Sequence, residues 1–245
     1  MSNNNKIEEA MVLAAGLGTR MRPITDRIPK PLVNVSGKTL LDHALDALRQ
    51  AGIKRAAVNV HYLADQIESH VASRKLPEIL ISDEREELLD SGGGVKRAIR
   101  PLKDDTFLIL NADSFWVDRK VPNLEVMIEA WDPTKMDMLL LVSDKDSAVG
   151  FEGQGDFFRD DEGRLTRRGK AEAAPTIYAG AIIAKRESFD AIEQNKFSLN
   201  PMFDGAISDG RLFGVVLDGL WLHVGTPDAI GEAEIAITAY RQEER

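Results

Sequence analysis

The sequence predicts an α/β fold: a mostly parallel mixed sheet between two layers of helices, with a small antiparallel lobe in its second half. Three observations carry this. Apolar runs of strand length alternate with segments of helical period up to residue 142. A glycine-rich turn follows the first strand directly. Beyond residue 150 the alternation gives way to short runs separated by turn-forming residues.

Residues 9–15 (EAMVLAA) read as a buried first strand. Residues 39–51 place Leu40, Leu41, Ala44, Leu45 and Leu48 at helical spacing and end at Gly52. Residues 55–61 form the second strand, 63–73 a helix, 78–82 a third strand, 106–111 a fourth and 136–142 a fifth. Residues 155–168 read as a hairpin turning at Asp161-Glu162-Gly163. Residues 175–184 form another strand, and 211–224 read as strand, turn at Asp218-Gly219, strand. Residues 226–241 form a last helix, with Thr226 as N-cap and Pro227 in its first turn. No linker interrupts the chain. Residues 1–245 are therefore one domain, with a soft division between residues 1–150 and 151–245.

The 245 residues are 43% apolar, enough for a sizeable core. The longest apolar run is far short of the ~20 residues a membrane helix needs. The start, Met1-Ser2-Asn3-Asn4-Asn5-Lys6, is polar. A cytoplasmic protein without a membrane partner is the expectation. The chain has no cysteine, which excludes disulfides, thiolate metal sites and cysteine nucleophiles. A formal net charge of -9 argues against a nucleic-acid partner. An acidic protein that binds phosphates must concentrate positive charge locally or use a metal.

Residues 13–32 (LAAGLGTRMRPITDRIPKPL) supply such a concentration. Gly16 and Gly18 let the backbone curl and point amides inward, and such a cradle binds phosphate oxygens. Arg20, Arg22, Arg27 and Lys30 fall in the same stretch. Prolines on both sides of Lys30 fix its position, whereas Arg22 and Arg27 are as consistent with surface as with site. A dinucleotide fingerprint would need Gly where Met21 stands. A P-loop ending at Gly37-Lys38-Thr39 would need Gly where Leu32 stands.

Gly16-Leu17-Gly18-Thr19-Arg20-Met21-Arg22-Pro23, Thr25 and Pro29-Lys30-Pro31 resemble the signature loop of the sugar-1-phosphate nucleotidyltransferases. The resemblance continues through Gly92-Gly93-Gly94, Asn111-Ala112-Asp113 and Gly225-Thr226-Pro227, and so covers nearly the whole chain. Within that family it is nearest the short N-acetylmuramate-1-phosphate uridylyltransferases of cell-wall recycling, with mannose-1-phosphate guanylyltransferases second. It implies a Rossmann-like three-layer sandwich of the nucleotide-diphospho-sugar transferase type. Residues 1–150 would bind nucleotide and 151–245 the acceptor sugar. The implied reaction joins a nucleoside triphosphate to a sugar 1-phosphate and releases pyrophosphate.

The resemblance also implies site residues. Leu13, Ala14, Ala15, Gly16, Gly18, Thr19, Gly92, Gly93 and Asn111 would bind the nucleotide. Gly92 to Gly94, read as a loop before a short basic helix, would admit a flat base, or simply turn the chain. Arg20 would neutralise the leaving phosphates and Lys30 would hold the acceptor phosphate. Asp113, after the apolar run 107–110, lies at a strand's C-terminal end, where ligands bind in such sheets. A carboxylate there suits Mg²⁺, although Asp is equally common as a cap. His223 stands where the family usually has a second metal carboxylate. It could coordinate, favouring Mn²⁺; it could hydrogen-bond a phosphate or a metal-bound water; or Asp113 could hold the ion almost alone. Asp156, Lys170, Gly180 and Asn200 are the acceptor-sugar candidates, with surface or helix-cap roles as the alternative for all but Gly180. A homo-oligomer is compatible with the family. The altered metal position leaves a second class open, a catalytically silent regulator that binds a nucleotide sugar.

Overall fold

A computed structural model describes residues 6–243. The polar start lies outside the described residues except for Lys6. Strand β1 (Glu9–Leu13) is followed by three single 3-10 turns that span residues 19–32. A tiny hairpin, β2 (Asn34–Val35) and β3 (Lys38–Thr39), leads into α1 (Leu40–Gln50). The order continues with β4 (Arg55–Val60), α2 (Ala64–Val71), β5 (Glu78–Asp83), α3 (Asp90–Ala98), β6 (Thr106–Asn111), β7 (Ser114–Asp118), α4 (Asn123–Ala130) and β8 (Met138–Asp144). The second half contains β9 (Phe157–Arg159), β10 (Leu165–Arg167), β11 (Thr176–Lys185), α5 (Glu187–Asp190), α6 (Asn200–Ser208), β12 (Leu212–Val216), β13 (Gly219–His223) and α7 (Asp228–Glu243).

The expected α/β fold is present. Strands β5, β4, β1 and β6 lie side by side and parallel. Strand β11 then runs antiparallel to β6 and to β8, and β12 closes the far edge parallel to β8. The hairpin β9–β10 extends the start of β11. Alternation along each strand sorts the side chains to two faces. Ala10, Val12, Leu108 and Leu110 join Leu41, Leu45, Leu48 and Ile67 on one face. Met11, Phe107 and Ile109 join Val95, Phe189 and Phe203 on the other. A third cluster, with Met21, Phe115, Leu222 and Ile237, lies under α7.

Three expectations need correction. Gly92, Gly93 and Gly94 do not precede a helix but lie inside α3. The expected strand, turn, strand over 211–224 is present, with β12 in the main sheet and β13 antiparallel to β7 in a separate two-stranded sheet. The turn at Asp218-Gly219 is thus a passage between sheets. The last helix begins at Asp228, so Thr226 lies two residues ahead of it and is not its N-cap. Helix α1 begins at Leu40, and Thr39 caps it by accepting from the Asp42 amide at 3.0 Å.

Candidate functional site

The phosphate loop leaves β1 at the carboxyl end of the parallel strands, the edge where α/β sheets bind ligands. Its course is fixed from behind. The side-chain oxygen of buried Asn59 accepts from the amides of Ala14 and Ala15 at 2.6 and 3.2 Å. Its amide nitrogen donates to Glu84 Oε1 at 2.7 Å, and Glu84 Oε2 accepts from the Leu89 amide at 3.0 Å. Glu84 is fully buried. One chain of bonds therefore ties the loop after β1 to the segment that opens α3. Nothing in the sequence marks Asn59, a lone polar residue within an apolar strand, or Glu84, one of several charged residues in the run 83–87.

Further along, Gly18 has φ +62°, and a Cβ there would stand 3.0 Å from Lys30 and from Thr25. The Thr25 hydroxyl donates to the Gly18 carbonyl at 2.7 Å. Gly18 is thus required by both conformation and space. Gly16 is different: no atom lies within 4 Å of where its Cβ would be.

Lys30 is buried, and its ammonium donates to Asp113 Oδ2 at 3.0 Å. Burial pushes the Asp113 carboxyl up, but the Lys30 ammonium, aided by His223 and Arg20, outweighs it and holds the group below the ordinary carboxylate value. Arg20 is exposed and makes no hydrogen bond or ion pair among the described residues. Arg22 pairs with Asp26 at 3.3 Å on the surface, and Arg27 is exposed. Of the four cations in the loop, Arg20 and Lys30 line a cleft together.

Two clefts meet at Asp113. One, of about 340 Å³, is lined by Gly16, Gly18, Thr19, Arg20, Lys30 and Gly225. With two cations and loop backbone it suits polyanions. The other, of about 420 Å³, is lined by Leu13, Ala15, Asn59, Ser91, Asn111 and Lys196. Both also share Gly16. Ala14 is buried behind the loop with its amide taken by Asn59. Gly92 and Gly93 face protein: their amides donate to the Phe197 carbonyl at 2.8 and 3.0 Å. Side chains there would collide with Phe197 and with the Asn195 carbonyl. Asp90 and Ser91 supply the cleft wall at the start of α3 instead, and Asp90 holds a positive φ of 63°.

The acceptor candidates spread over the neighbouring face. Gly180 has φ +92° at a break in the β11–β8 register, and a Cβ would run into Ser114 Oγ. It therefore belongs with Asn111 and Ser114. Asp156 accepts from the Tyr178 amide at 2.9 Å. Asn200 is the first residue of α6 rather than its cap, and its side-chain oxygen accepts from Arg167 at 3.0 Å. Arg167 itself lies over the rings of Phe157 and Phe203. Lys170 is exposed on a turn.

His223 ends β13 opposite Ser114, and the amide of the next residue, Val224, donates to the Asp113 carbonyl at 3.1 Å. The β7–β13 pairing thus carries His223 to the carboxyl end of β6. Among the described residues no cluster of three or more His, Cys, Asp or Glu is placed to hold a metal. Among the described residues the Asp113 carboxylate meets Lys30 through Oδ2 and its Oδ1 has no hydrogen-bond partner. One carboxylate beside a polyanion cleft fits an ion that arrives with a triphosphate, because Mg²⁺ is commonly held by one or two carboxylates plus substrate phosphates.

A sheet with this order, and a glycine loop, two cations and a carboxylate at its ligand-binding edge, define a nucleotidyltransferase. The family model of the MobA-like NTP transferase domain matches residues 10–198. The N-acetylmuramate alpha-1-phosphate uridylyltransferase of Caulobacter vibrioides is 43% identical over 96% of this chain and 98% of its own. The enzyme of the same name from Neisseria meningitidis serogroup B is 30% identical over 95% and 100%. The crystal structure of HddC from Yersinia pseudotuberculosis complexed with GMP-PN superposes with a TM-score of 0.73 at 22% identity, covering 94% of this chain and all of that one. The chain belongs to the MobA-like NTP transferase family, as an enzyme of the sugar-1-phosphate nucleotidyltransferase type.

Proposed function

We propose that the enzyme transfers a uridylyl group from UTP to N-acetylmuramate 1-phosphate, releasing pyrophosphate and forming the nucleotide sugar. The observation that carries this reading is the 43% identity to the Caulobacter uridylyltransferase across practically the full length of both chains. The phosphate oxygen of the acceptor attacks the α-phosphorus in line, and the bond to pyrophosphate breaks. Lys30 holds the acceptor phosphate near the α-phosphate and offsets their repulsion. Arg20, which makes no hydrogen bond or ion pair among the described residues, meets the charge that builds on the leaving pyrophosphate. The backbone of Gly16, Gly18 and Thr19 cradles the triphosphate, and Leu13, Ala15 and Asn111 border the nucleoside. Ala14, Gly92 and Gly93 contribute by holding those walls in place. Gly180 borders the acceptor sugar, with Asp156, Lys170 and Asn200 farther out on that face. Mg²⁺, or Mn²⁺, held by Asp113 with His223 beside it, supplies charge neutralisation at the phosphates when bound. The setting is cytoplasmic recycling of cell-wall sugars. Among the described residues no helix is long and apolar enough to cross a membrane.

The test is pyrophosphate release from the purified enzyme across four nucleoside triphosphates and a panel of sugar 1-phosphates. UTP with N-acetylmuramate 1-phosphate is the pair expected to react fastest. GTP with mannose 1-phosphate as the fastest pair would replace the substrate assignment, and silence across the panel with either metal would defeat it.

A further inference from the structure

The acceptor in the proposed reaction carries two separate anions. One is the 1-phosphate, which Lys30 receives. The other is the carboxylate of the lactyl ether on C3, a group that N-acetylglucosamine 1-phosphate lacks. An enzyme that selects the acidic sugar needs a second cation, set apart from the phosphate loop and facing the acceptor.

Arg167, the last residue of β10, is placed for this. Its guanidinium lies over two aromatic rings, 5.1 Å from the centroid of Phe157 and 5.5 Å from that of Phe203. Nε donates to Asp204 Oδ1 at 2.8 Å, and Nη2 donates to the carbonyl and side-chain oxygens of Asn200 at 3.2 and 3.0 Å. Stack and bonds together fix the plane of the group. Nη1 makes no hydrogen bond among the described residues. Its two N–H donors are thus held in position and unspent.

The rings beneath Arg167 lead to the reacting groups. Phe203 meets Tyr178 edge-on at 5.8 Å. Burial, and after it the Asp113 carboxylate, push the Tyr178 phenol up, so that ring lies within reach of the Asp113 charge. Tyr178 stands two residues before Gly180, which borders Asn111 and Ser114. On the other side, Asn200 follows Leu199, whose amide donates to Ser91 Oγ at 3.0 Å on the wall of the nucleoside cleft. Arg167 therefore stands about one aromatic layer out from Asp113 on the acceptor side, the kind of offset from the phosphate that an arm on C3 requires. Other cations nearby are spent or loose. Arg168 donates to the carbonyls of Gly155 and Ala171, Arg159 donates to that of Gly214, Arg164 pairs with Glu162, and Lys170 is exposed on a turn.

We propose that Arg167 determines acceptor specificity, receiving the lactyl carboxylate of the bound sugar on Nη1 while Asp204 and Asn200 hold the rest of the guanidinium. The inference rests on the proposed substrate assignment. Asp204 offsets part of the Arg167 charge, so selectivity comes from directed N–H donors more than from charge alone.

The experiment measures pyrophosphate release from the whole enzyme with UTP and Mg²⁺, varying N-acetylmuramate 1-phosphate or N-acetylglucosamine 1-phosphate. The native enzyme should prefer the acidic sugar. In Arg167→Gln, kcat/KM for that sugar should fall about tenfold to a hundredfold, mostly through KM, the usual worth of hydrogen bonds to a charged group. The neutral sugar should change far less, so the ratio between the two collapses. Arg167→Lys, which keeps charge and stem but not the planar fork, should recover only part of the ratio. Asp204→Asn leaves Arg167 in place and neutralises its rival carboxylate, so KM for the acidic sugar alone should drop. A native preference with an unchanged ratio in these variants, or an equal loss of both sugars, overturns the role of Arg167 while the substrate assignment stands. A native enzyme that does not prefer the acidic sugar ends the assignment and the inference together.

Discussion

The ammonium of Lys30 lies 3.0 Å from the carboxylate of Asp113, across 83 residues of chain, at the point where the two clefts meet. The pair has two functions in one geometry. In the proposed reaction it would hold Lys30 beside a carboxylate until an acceptor phosphate arrives. It also keeps Asp113 ionised, against the burial that opposes its charge.

Removing either partner should therefore cost turnover far more than fold. Lys30→Met and Asp113→Asn keep nearly the original side-chain shapes. Each should lower kcat/KM by ~10²–10³, the usual loss for one electrostatic contact to a reacting group. Pyrophosphate release gives the rate and thermal unfolding the fold. A variant within a few-fold of native turnover would remove that residue from the reaction.

Arg20 differs from Lys30 in making no hydrogen bond or ion pair among the described residues and in having an exposed side chain. Arg20→Ala should leave the melting temperature unchanged while lowering kcat by ~10²–10³. A fall in melting temperature comparable to that of a core substitution would mean that Arg20 serves the fold instead.

Glycines in and behind the clefts separate into two kinds. Gly93 has the Asn195 carbonyl where a side chain would go, so Gly93→Ala should destabilise the protein before any ligand is considered. Gly16 has open space, and its φ is not in the left-handed region. Gly16→Ala should fold like the native protein yet bind UTP weakly, because the added methyl occupies the shared wall of both clefts. Calorimetric titration with UTP beside thermal unfolding separates the two effects. Unaltered UTP affinity in Gly16→Ala would show that ligand backbone contact is not the reason for a glycine there.

Why these residues were readable, and others were not, follows from the range of the forces involved. Strands β1, β4 and β6 and helices α1 and α2 are local patterns of apolar spacing, and each falls within a few residues of its expected range. Arg20 and Lys30 stand out because glycine and proline punctuate their surroundings. Strand β7 escaped notice: its five residues begin immediately after Asp113, and its partner β13 lies a hundred residues on. Helices α4 and α6 are short and weakly patterned, and escaped for that reason. Asn59 and Glu84 work only through each other, by a bond no local pattern encodes. The three glycines of α3 look like a ligand loop in sequence, yet their smallness admits Phe197, Asn195 and the Asn59–Glu84 pair.

That hidden pair makes a prediction of its own. Asn59→Ala strips partners from the amides of Ala14 and Ala15 and from Glu84 Oε1 together. Leaving buried polar groups unpaired costs about 1–3 kcal/mol each before water or relaxation recovers part of it. A clear drop in denaturant midpoint is expected, with a rise in KM for UTP as the loop loosens. Native stability in this variant would show that the loop is held from elsewhere.

Acid sensitivity should be traceable to one histidine remote from the reaction. His43 stacks on Phe115 at 4.0 Å, and its Nε2 lies 3.0 Å from the Val35 carbonyl. Burial lowers its pKa beneath the ordinary 6.5, against the opposing pull of the Val35 carbonyl. The sign follows directly. The folded protein resists protonating the ring while the unfolded chain accepts the proton. The contribution is therefore fully present above pH 6.5 and is lost as pH falls through the depressed folded value. His43→Gln removes the titrating group. It should be less stable than native at neutral pH because the stack is lost, but its melting temperature should fall less steeply as pH drops below 6.5. Parallel pH profiles for the two proteins would assign the acid loss to other groups.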